Sequence, residues 1–289
     1  MLKDLVTSLR PQQWIKNTFI FAALIFAGEL LHPEKVLIAC AAFLCFCALS
    51  SAVYLFNDVR DAEADRQHPL KKLRPIAAGR LSSRTAIAIS AILAAAALTI
   101  SVLIAKLLAV MAATYLVLNL LYTIALKRIA VVDVMCIAAG FVLRAAAGGA
   151  AIAVAVSSWL IICTFFLALF LGLAKRRHEL VLLENNSSLH RENLAEYSPY
   201  LLDQMIVIVM TGTLVCYILY TLSEEVQKKL DAPHLYVTIP YVLYGIYRYL
   251  YLIHRREGGG NPSAALFSDR PLLIDVLLWG LTSAAIVYS

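Results

Sequence analysis

The sequence predicts an all-α integral membrane protein. Residues 1–289 form a single polytopic domain, a bundle of nine transmembrane helices with the N-terminus in the cytoplasm. Three observations predict it. Apolar residues make up 61% of the chain and charged residues only 15%, against about 45–50% and about 25% in soluble domains. The apolar residues gather into runs that can each cross about 30 Å of hydrocarbon as a helix. The basic residues gather on alternate connections between those runs.

The runs lie near 17–31, 36–56, 86–104, 107–124, 131–153, 158–174, 205–222, 235–252 and 272–288. The first follows MLKDLVTSLRPQQWIKN, which lacks the short apolar core and small-residue cleavage site of a secretory signal, so it stays as a helix. Trp14 in that lead is an interfacial anchor type. The second run stops at the charged stretch starting at Asn57, the third and fourth are parted by Lys106, and Lys127 and Arg128 end the fourth. The fifth carries Gly140 and Gly148, which allow close helix packing. Lys175, Arg176 and Arg177 close the sixth. GGGNPS at 258–263 reads as a flexible loop before the last run. Strands are excluded because an open sheet edge cannot be satisfied in lipid.

With nine crossings, one side holds Lys3, Arg10, Lys16, Arg60, Arg66, Lys71, Lys72, Arg74, Arg80, Arg84, Lys127, Arg128, Lys175, Arg176, Arg177, Arg191, Arg248, Arg255, Arg256 and Arg270. The other holds Lys35, Lys106, Lys228 and Lys229. Basic loops are cytoplasmic, so the richer side faces the cytoplasm of an inner (plasma) membrane. The net charge of +6 is therefore a sidedness signal, and such loops attract anionic membrane lipid. The bases are spread over five segments without a recognition motif, which excludes nucleic acid as a partner.

Cys40, Cys45, Cys47, Cys136, Cys163 and Cys216 all fall in apolar runs without metal spacing, and are expected to be small buried hydrophobes rather than disulfides. No Walker A, GxGxxG, GxSxG or HExxH pattern occurs.

The chemistry concentrates on the basic side. Asn57, Asp58, Asp61 and Asp65 share one face if the second helix runs past Phe56. Carboxylates so placed repel one another. Magnesium, which takes carboxylate and phosphate oxygens together, is the natural offset; pairing with Arg60, Arg66, Lys71 and Lys72 in a solvated loop is the competing account. HPLKKLRPIAAGRL (68–81) follows, with Arg74 as a phosphate-clamp candidate and Pro69 and Pro75 stiffening the loop. Lys71 and Lys72 suit lipid heads equally well. Tyr122, Lys127 and Asp133 meet at the junction of the fourth and fifth runs, where Lys127 and Arg128 also suit simple orientation charges. Arg144 lies eleven residues beyond Asp133 on the same face, about 16 Å along the axis. A cation that deep marks a functional site or a hydrogen-bond hub between helices. Lys175, Arg176 and Arg177 read as phosphate clamps or as an orientation cap, and Lys16 and Asn17 as substrate contacts. Asp269 and Arg270 precede the last run.

NDVRDAEAD resembles the first aspartate-rich motif, NDxxDxxxD, of the UbiA superfamily of membrane prenyltransferases. RPQQWIKN, NDVRDAEADRQHPLKKLRPIAAGRL, DVMCIAAGFVLRAAAG, KRRHEL and SDRPL together resemble one branch of it, the decaprenyl-phosphate phosphoribosyltransferases, over about residues 8–275. The resemblance implies a nine-helix bundle with a cytoplasmic-side site. It implies transfer of phosphoribose from phosphoribosyl pyrophosphate to a polyprenyl phosphate, giving a lipid-linked pentose precursor for arabinan-type cell-wall polysaccharide. Asn57, Asp58, Asp61 and Asp65 would hold magnesium. Arg74, Tyr122, Lys127, Arg144, Lys175, Arg176, Arg177, Lys16 and Asn17 would bind substrate. One departure bears on the donor. Prenyltransferases of the superfamily carry a second motif, DxxxD, after the sixth helix; here KRRHELVLLENNSSLHREN has no aspartate. That favours a donor with one metal-bound diphosphate and further anionic groups. A magnesium-dependent prenyltransferase with an aromatic acceptor is the alternative, and a lipid-phosphate transporter using Arg144 a more distant one. A homo-oligomer is compatible with the sequence.

Overall fold

A computed structural model describes residues 2–69, 71–184, 196–255 and 268–288. The expected GGGNPS loop and most of the loop after the sixth run lie outside the described residues. Among those described, the chain is helical throughout and without strands. Seven helices are long and apolar enough to cross a membrane: α3 (Pro33–Arg60), α5 (Ser83–Ile104), α6 (Lys106–Ile124), α7 (Val132–Ala151), α8 (Ser158–Glu184), α9 (Pro199–Leu222) and α12 (Arg270–Tyr288). They match seven of the nine runs.

The other two runs differ from expectation. The first is not one helix: a 3₁₀ segment, Pro11–Phe19, leads into a short α2, Ile20–Phe26. Pro11 has no N–H to donate, and Arg10 before it adopts a left-handed conformation (φ 53°), so the chain cannot run straight from α1 (Leu2–Leu9) into the 3₁₀ segment. The eighth run becomes a 3₁₀ turn, Leu235–Thr238, and α11, Ile239–Arg255. Three short helices went unforeseen: α1, α4 (Ala62–Gln67) and α10 (Glu224–Leu230).

Local signals place the long helices. Pro33 and Pro199 stand in first turns, where a missing N–H costs nothing. Ser82 and Ser198 accept the N–H groups of Thr85 and Leu201 at 3.1 Å, capping α5 and α9. Many large apolar side chains on these helices point outward, among them Leu44, Ile92, Leu103, Val110, Ile208, Ile274 and Leu281. Outward apolar faces on helices of this length are what lipid requires. Cys45 and Cys47 are buried as expected; Cys40 instead faces outward on α3, and all six cysteines are free thiols.

The chain divides into two compact units. Unit 1 comprises residues 1–24, 29–127 and 140–156. Its core joins Phe46 and Leu49 of α3, Ala97 of α5, Leu108, Ala112 and Tyr115 of α6, and Ala147 of α7, with Ile20 of α2. Gly148 of α7 lies against the backbone of Ile20 so closely that a Cβ there would meet the Ile20 carbonyl. Unit 2 comprises residues 25–28, 128–139 and 157–289. Phe170 and Leu173 of α8, Leu202 and Ile206 of α9, Tyr249 and Leu252 of α11 and Leu272 of α12 form its core. Helix α7 gives its first part to unit 2 and the remainder to unit 1.

Candidate active site

In unit 1 the acids gather at the end of α3. The helix does run past Phe56, as far as Arg60, and then breaks at Asp61; α4 restarts at Ala62. Asn57 and Asp58 therefore lie on α3, Asp61 at the joint and Asp65 on α4. The Asp61 and Asp65 N–H groups donate to the Asn57 and Asp61 carbonyls at 2.9 and 2.8 Å, so helical spacing survives the break.

The loop after α4 is anchored from below. Ile76 and Leu81 are buried with Leu55, Ala62 and Ala86, and Leu5 and Leu9 of α1 pack on the same cluster. Gly79 takes the left-handed turn (φ 74°) that lets Arg80 and Leu81 return their N–H groups to the Pro75 carbonyl. This fixes Arg74. Its Nη1 donates to Asp65 Oδ2 at 2.5 Å and to Asp58 Oδ1 at 3.2 Å. The Arg10 Nη2 reaches the same Asp58 oxygen at 2.5 Å, and its guanidinium stacks over Tyr54. Lys127, in the 3₁₀ turn after α6, donates to Asp61 Oδ1 at 2.6 Å and lies 3.5 Å from Asn57 Oδ1. Asn57 Nδ2 donates to Asp61 Oδ2 at 3.1 Å.

Three carboxylates thus face three cations. Asp58 and Asp65 are buried, with side chains 3% and 5% exposed, while Asp61 is 31% exposed and the bases 22–27%. The acids split into two cation-bridged sets, Asp58–Asp65 around Arg74 and Asn57–Asp61 around Lys127. Among the described residues no three His, Cys, Asp or Glu side chains converge as a metal-holding group. Of the bases nearest in sequence, Arg66 pairs with Glu63, while Arg10, Arg74 and Lys127 pair with the clustered acids.

Deeper in unit 1, Asn17 and Arg144 come together. The Arg144 Nε donates to Asn17 Oδ1 at 2.7 Å, Nη1 to the Gly140 carbonyl at 2.9 Å and Nη2 to Tyr115 Oη at 2.8 Å, with Tyr115 and Phe141 rings beneath the guanidinium. Asn17 Nδ2 reaches Ser50 Oγ and Cys47 Sγ, both at 3.3 Å. Trp14 Nε1 donates to Ser51 Oγ at 3.0 Å, and Ser51 Oγ to the Leu9 carbonyl at 2.9 Å. These bonds pin the N-terminal segment along one face of α3. Arg144 thus links α7 to Tyr115 of α6 and to Asn17 of the N-terminal segment. Lys16 is half-buried on that segment, and Tyr122 half-buried in the last turn of α6.

Unit 2 holds the rest. Asp133, fully buried, accepts the Arg176 Nε at 2.8 Å, the Val134 N–H at 2.8 Å and the Tyr197 hydroxyl at 3.2 Å. Arg176 also donates to Glu179 at 2.6 Å. Burial pushes the Tyr197 phenol up. The same hydroxyl takes the Val131 N–H at 2.5 Å, with Val131 left-handed (φ 67°), a strained setting for a β-branched residue. Arg177 reaches Asp203 at 2.5 and 3.3 Å. Lys175 is exposed, 3.9 Å from Glu179. All three members of the Lys-Arg-Arg run are thus ion-paired within unit 2, Lys175 the most exposed of them and at the longest distance. Asp269 accepts a two-pronged contact from Arg248 at 2.9 and 2.8 Å and the Leu272 N–H at 3.0 Å, fixing the start of α12.

Sequence reasoning missed Arg10. Its signal was present in the Arg-Pro pair of RPQQWIKN, but only the fold brings position 10 to position 58.

The fold defines the class first, a multi-pass helical membrane protein of the UbiA type. The structure matches a UbiA homolog from Archaeoglobus fulgidus bound to DMAPP and Mg2+ with a TM-score of 0.73 at 18% identity, covering 98% of this chain and 99% of that one. The model of the UbiA prenyltransferase family matches residues 17–268, and the chain belongs to that family. Within it, the chain is 36% identical to the decaprenyl-phosphate phosphoribosyltransferase of Mycolicibacterium smegmatis, over 100% of this chain and 94% of the relative. It is 32% identical to the protein of that name from Mycobacterium tuberculosis H37Rv, over 99% and 95%.

Proposed function

We propose that the protein transfers 5-phosphoribose from phosphoribosyl pyrophosphate to a polyprenyl phosphate of the decaprenyl type, releasing pyrophosphate. The observation that carries this reading is the electroneutral cluster at the end of α3, three carboxylates matched by Arg10, Arg74 and Lys127. Adding one divalent cation leaves an excess of two positive charges, so a metal and a polyanionic substrate are expected to bind together. The names of the near-full-length relatives support the substrate pair.

The donor set fits magnesium. Asn57 Oδ1 and Asp61 Oδ1 already converge on one positive centre, the Lys127 ammonium. Magnesium needs only one or two carboxylates beside water and substrate phosphate. Asn57 and Asp61 would hold it, with Asp58 and Asp65 next in line. When bound it supplies neutralisation of the charge developing on the leaving pyrophosphate.

The chain's own residues then position and stabilise. Arg74 and Lys127, released from the acids, donate to phosphate oxygens in charge-assisted hydrogen bonds. The acceptor phosphate is ionised near neutral pH, so no general base is required. Its oxygen forms the new bond to C1 of the ribose as the bond from C1 to the pyrophosphate oxygen breaks, and the pyrophosphate departs with the electron pair. Attack from the opposite face inverts C1, from an α donor to a β product. Buried Asn17 and Arg144 hold the N-terminal segment in register. Lys16, Tyr122 and Lys175 are further candidates for phosphate contact; Arg176 and Arg177 are committed to acids first. The nine crossings, the cytoplasmic N-terminus and the cytoplasmic position of the cluster follow from the charge bias and belong to this proposal.

The test is transfer of labelled phosphoribose to decaprenyl phosphate by the purified protein, with and without magnesium, beside a parallel assay with a prenyl diphosphate and 4-hydroxybenzoate. Magnesium-dependent labelling of the lipid phosphate is expected. Product only in the parallel assay overturns the reading.

A further inference from the structure

Unit 1 contains an open cleft of about 270 Å³ lined by Thr7, Ser8, Arg10, Asp58, Leu73, Arg74 and Pro75. From its geometry we infer a binding site for the phosphate monoester of a sugar, with Arg10 as its principal ligand. The inference rests on the proposed transfer for the identity of the sugar, which makes the ligand the 5-phosphate end of the donor.

Two guanidinium groups converge there on a single carboxylate oxygen. Arg10 Nη2 and Arg74 Nη1 both donate to Asp58 Oδ1, at 2.5 and 3.2 Å. One oxygen cannot satisfy two forks, and each guanidinium carries five N–H donors. Arg74 has a second acid in Asp65, whereas Asp58 is the one carboxylate recorded with Arg10. Arg10 is therefore the cation that an incoming anion can recruit without opening a second ion pair. A phosphate dianion in the cleft would accept from both arginines in the planar, two-pronged manner that guanidinium favours.

The positive charge of the lining comes from Arg10 and Arg74. The end of α1 would repel an anion through its bare carbonyls, but the Thr7 carbonyl accepts the Arg10 N–H at 3.3 Å and the Leu9 carbonyl accepts Ser51 Oγ at 2.9 Å. The Thr7 and Ser8 hydroxyls line the wall and spend their protons on the Lys3 and Asp4 carbonyls. The wall is also held in place: Leu5 and Leu9 are packed beneath it, and Arg80 ties to Asp4 at 2.8 Å. The left-handed backbone at Arg10 (φ 53°) turns the chain just where its side chain enters the cleft. Such a conformational cost persists where the surroundings require it.

The test separates the two ends of the donor. Binding of ribose 5-phosphate, and separately of pyrophosphate with magnesium, is measured by calorimetry on the full chain in detergent. The proteins are wild type, Arg10→Ala, and Thr7→Glu, which adds a negative charge to an exposed helical position and leaves the Asp58 pair intact. Arg10→Ala is expected to weaken ribose 5-phosphate by about 10–100-fold and Thr7→Glu by about tenfold, with magnesium pyrophosphate changed less than threefold by Thr7→Glu. Unchanged ribose 5-phosphate affinity in Thr7→Glu, or equal losses for both probes, overturns the site. A wild type that binds ribose 5-phosphate and loses it in both variants, yet transfers nothing to decaprenyl phosphate, keeps the site and removes the transfer reading instead.

Discussion

The α3 cluster of unit 1 and the Asp133 cluster of unit 2 use the same residue types in opposite ways. In unit 1 the cations are 22–27% exposed and shared, with Arg74 serving two acids and Asp58 taking two arginines. In unit 2, Asp133 and Arg176 have side chains 0% and 3% exposed, and the remaining lone pairs of Asp133 are taken by Tyr197 and a backbone N–H. A shared ion pair whose cation is partly exposed can be traded for a metal and a phosphate at smaller cost. A desolvated and fully satisfied pair cannot, because opening it strands a charge in a low-dielectric interior. The difference teaches that charge density alone does not mark a binding site; exchangeable partners do.

The comparison is broken most strongly from the unit 2 side. Asp133→Asn strips the buried Arg176 of its buried carboxylate partner, and a loss of about 3–5 kcal/mol in stability is expected, read as a large drop in thermal midpoint in detergent. An unchanged midpoint would show the pair to be exchangeable after all. Next in size is Asp61→Ala, at the most exposed of the three clustered acids. Its thermal midpoint should stay near wild type while transfer activity falls by about 100-fold or more. Full activity would remove Asp61 from the metal set. A smaller effect is expected from Gly148→Ala, which drives a methyl into the Ile20 carbonyl. Overpacking of this kind costs about 1–3 kcal/mol, so the midpoint should fall while the residual folded protein keeps its pyrophosphate affinity.

The smallest effect belongs to Asp4. The Arg80 hydrogen bond holds its carboxyl below the ordinary value of 3.8. A depressed folded value means the pair contributes stability above 3.8 and loses it as pH falls through the lowered value. Asp4→Asn should therefore lie slightly below wild type in thermal midpoint at pH 7, and the gap should close in acid. A gap that widens in acid would reverse the assigned sign.

Much of this was legible in the sequence. Run lengths foretold nine helices, and seven of those runs are long apolar helices among the described residues, because the cost of an unpaired peptide group in lipid leaves the helix as the default. Asn57, Asp58, Asp61 and Asp65 were singled out by spacing alone, and helical spacing does persist across the Asp61 break. The first run was misjudged because apolarity reports burial in lipid but not the backbone break that Arg10 and Pro11 impose. The long-range pairing of the acids was likewise not legible. Proximity in sequence suggested Arg60, Arg66, Lys71 and Lys72, whereas Arg10 lies 48 positions from Asp58 and Lys127 66 positions from Asp61.

By itself the sequence determined that the chain is helical and enters a membrane, which end of α3 carries the acids, and which family pattern they follow. All of these are local or cumulative properties, fixed by composition and by a 3.6-residue period. Only the tertiary structure decided which acids share partly exposed cations, as Asp58, Asp61 and Asp65 do, and which pair is sealed, as Asp133 and Arg176 are. Ion pairing acts over a few ångströms, and only packing of the helices chooses which distant side chains come within that range.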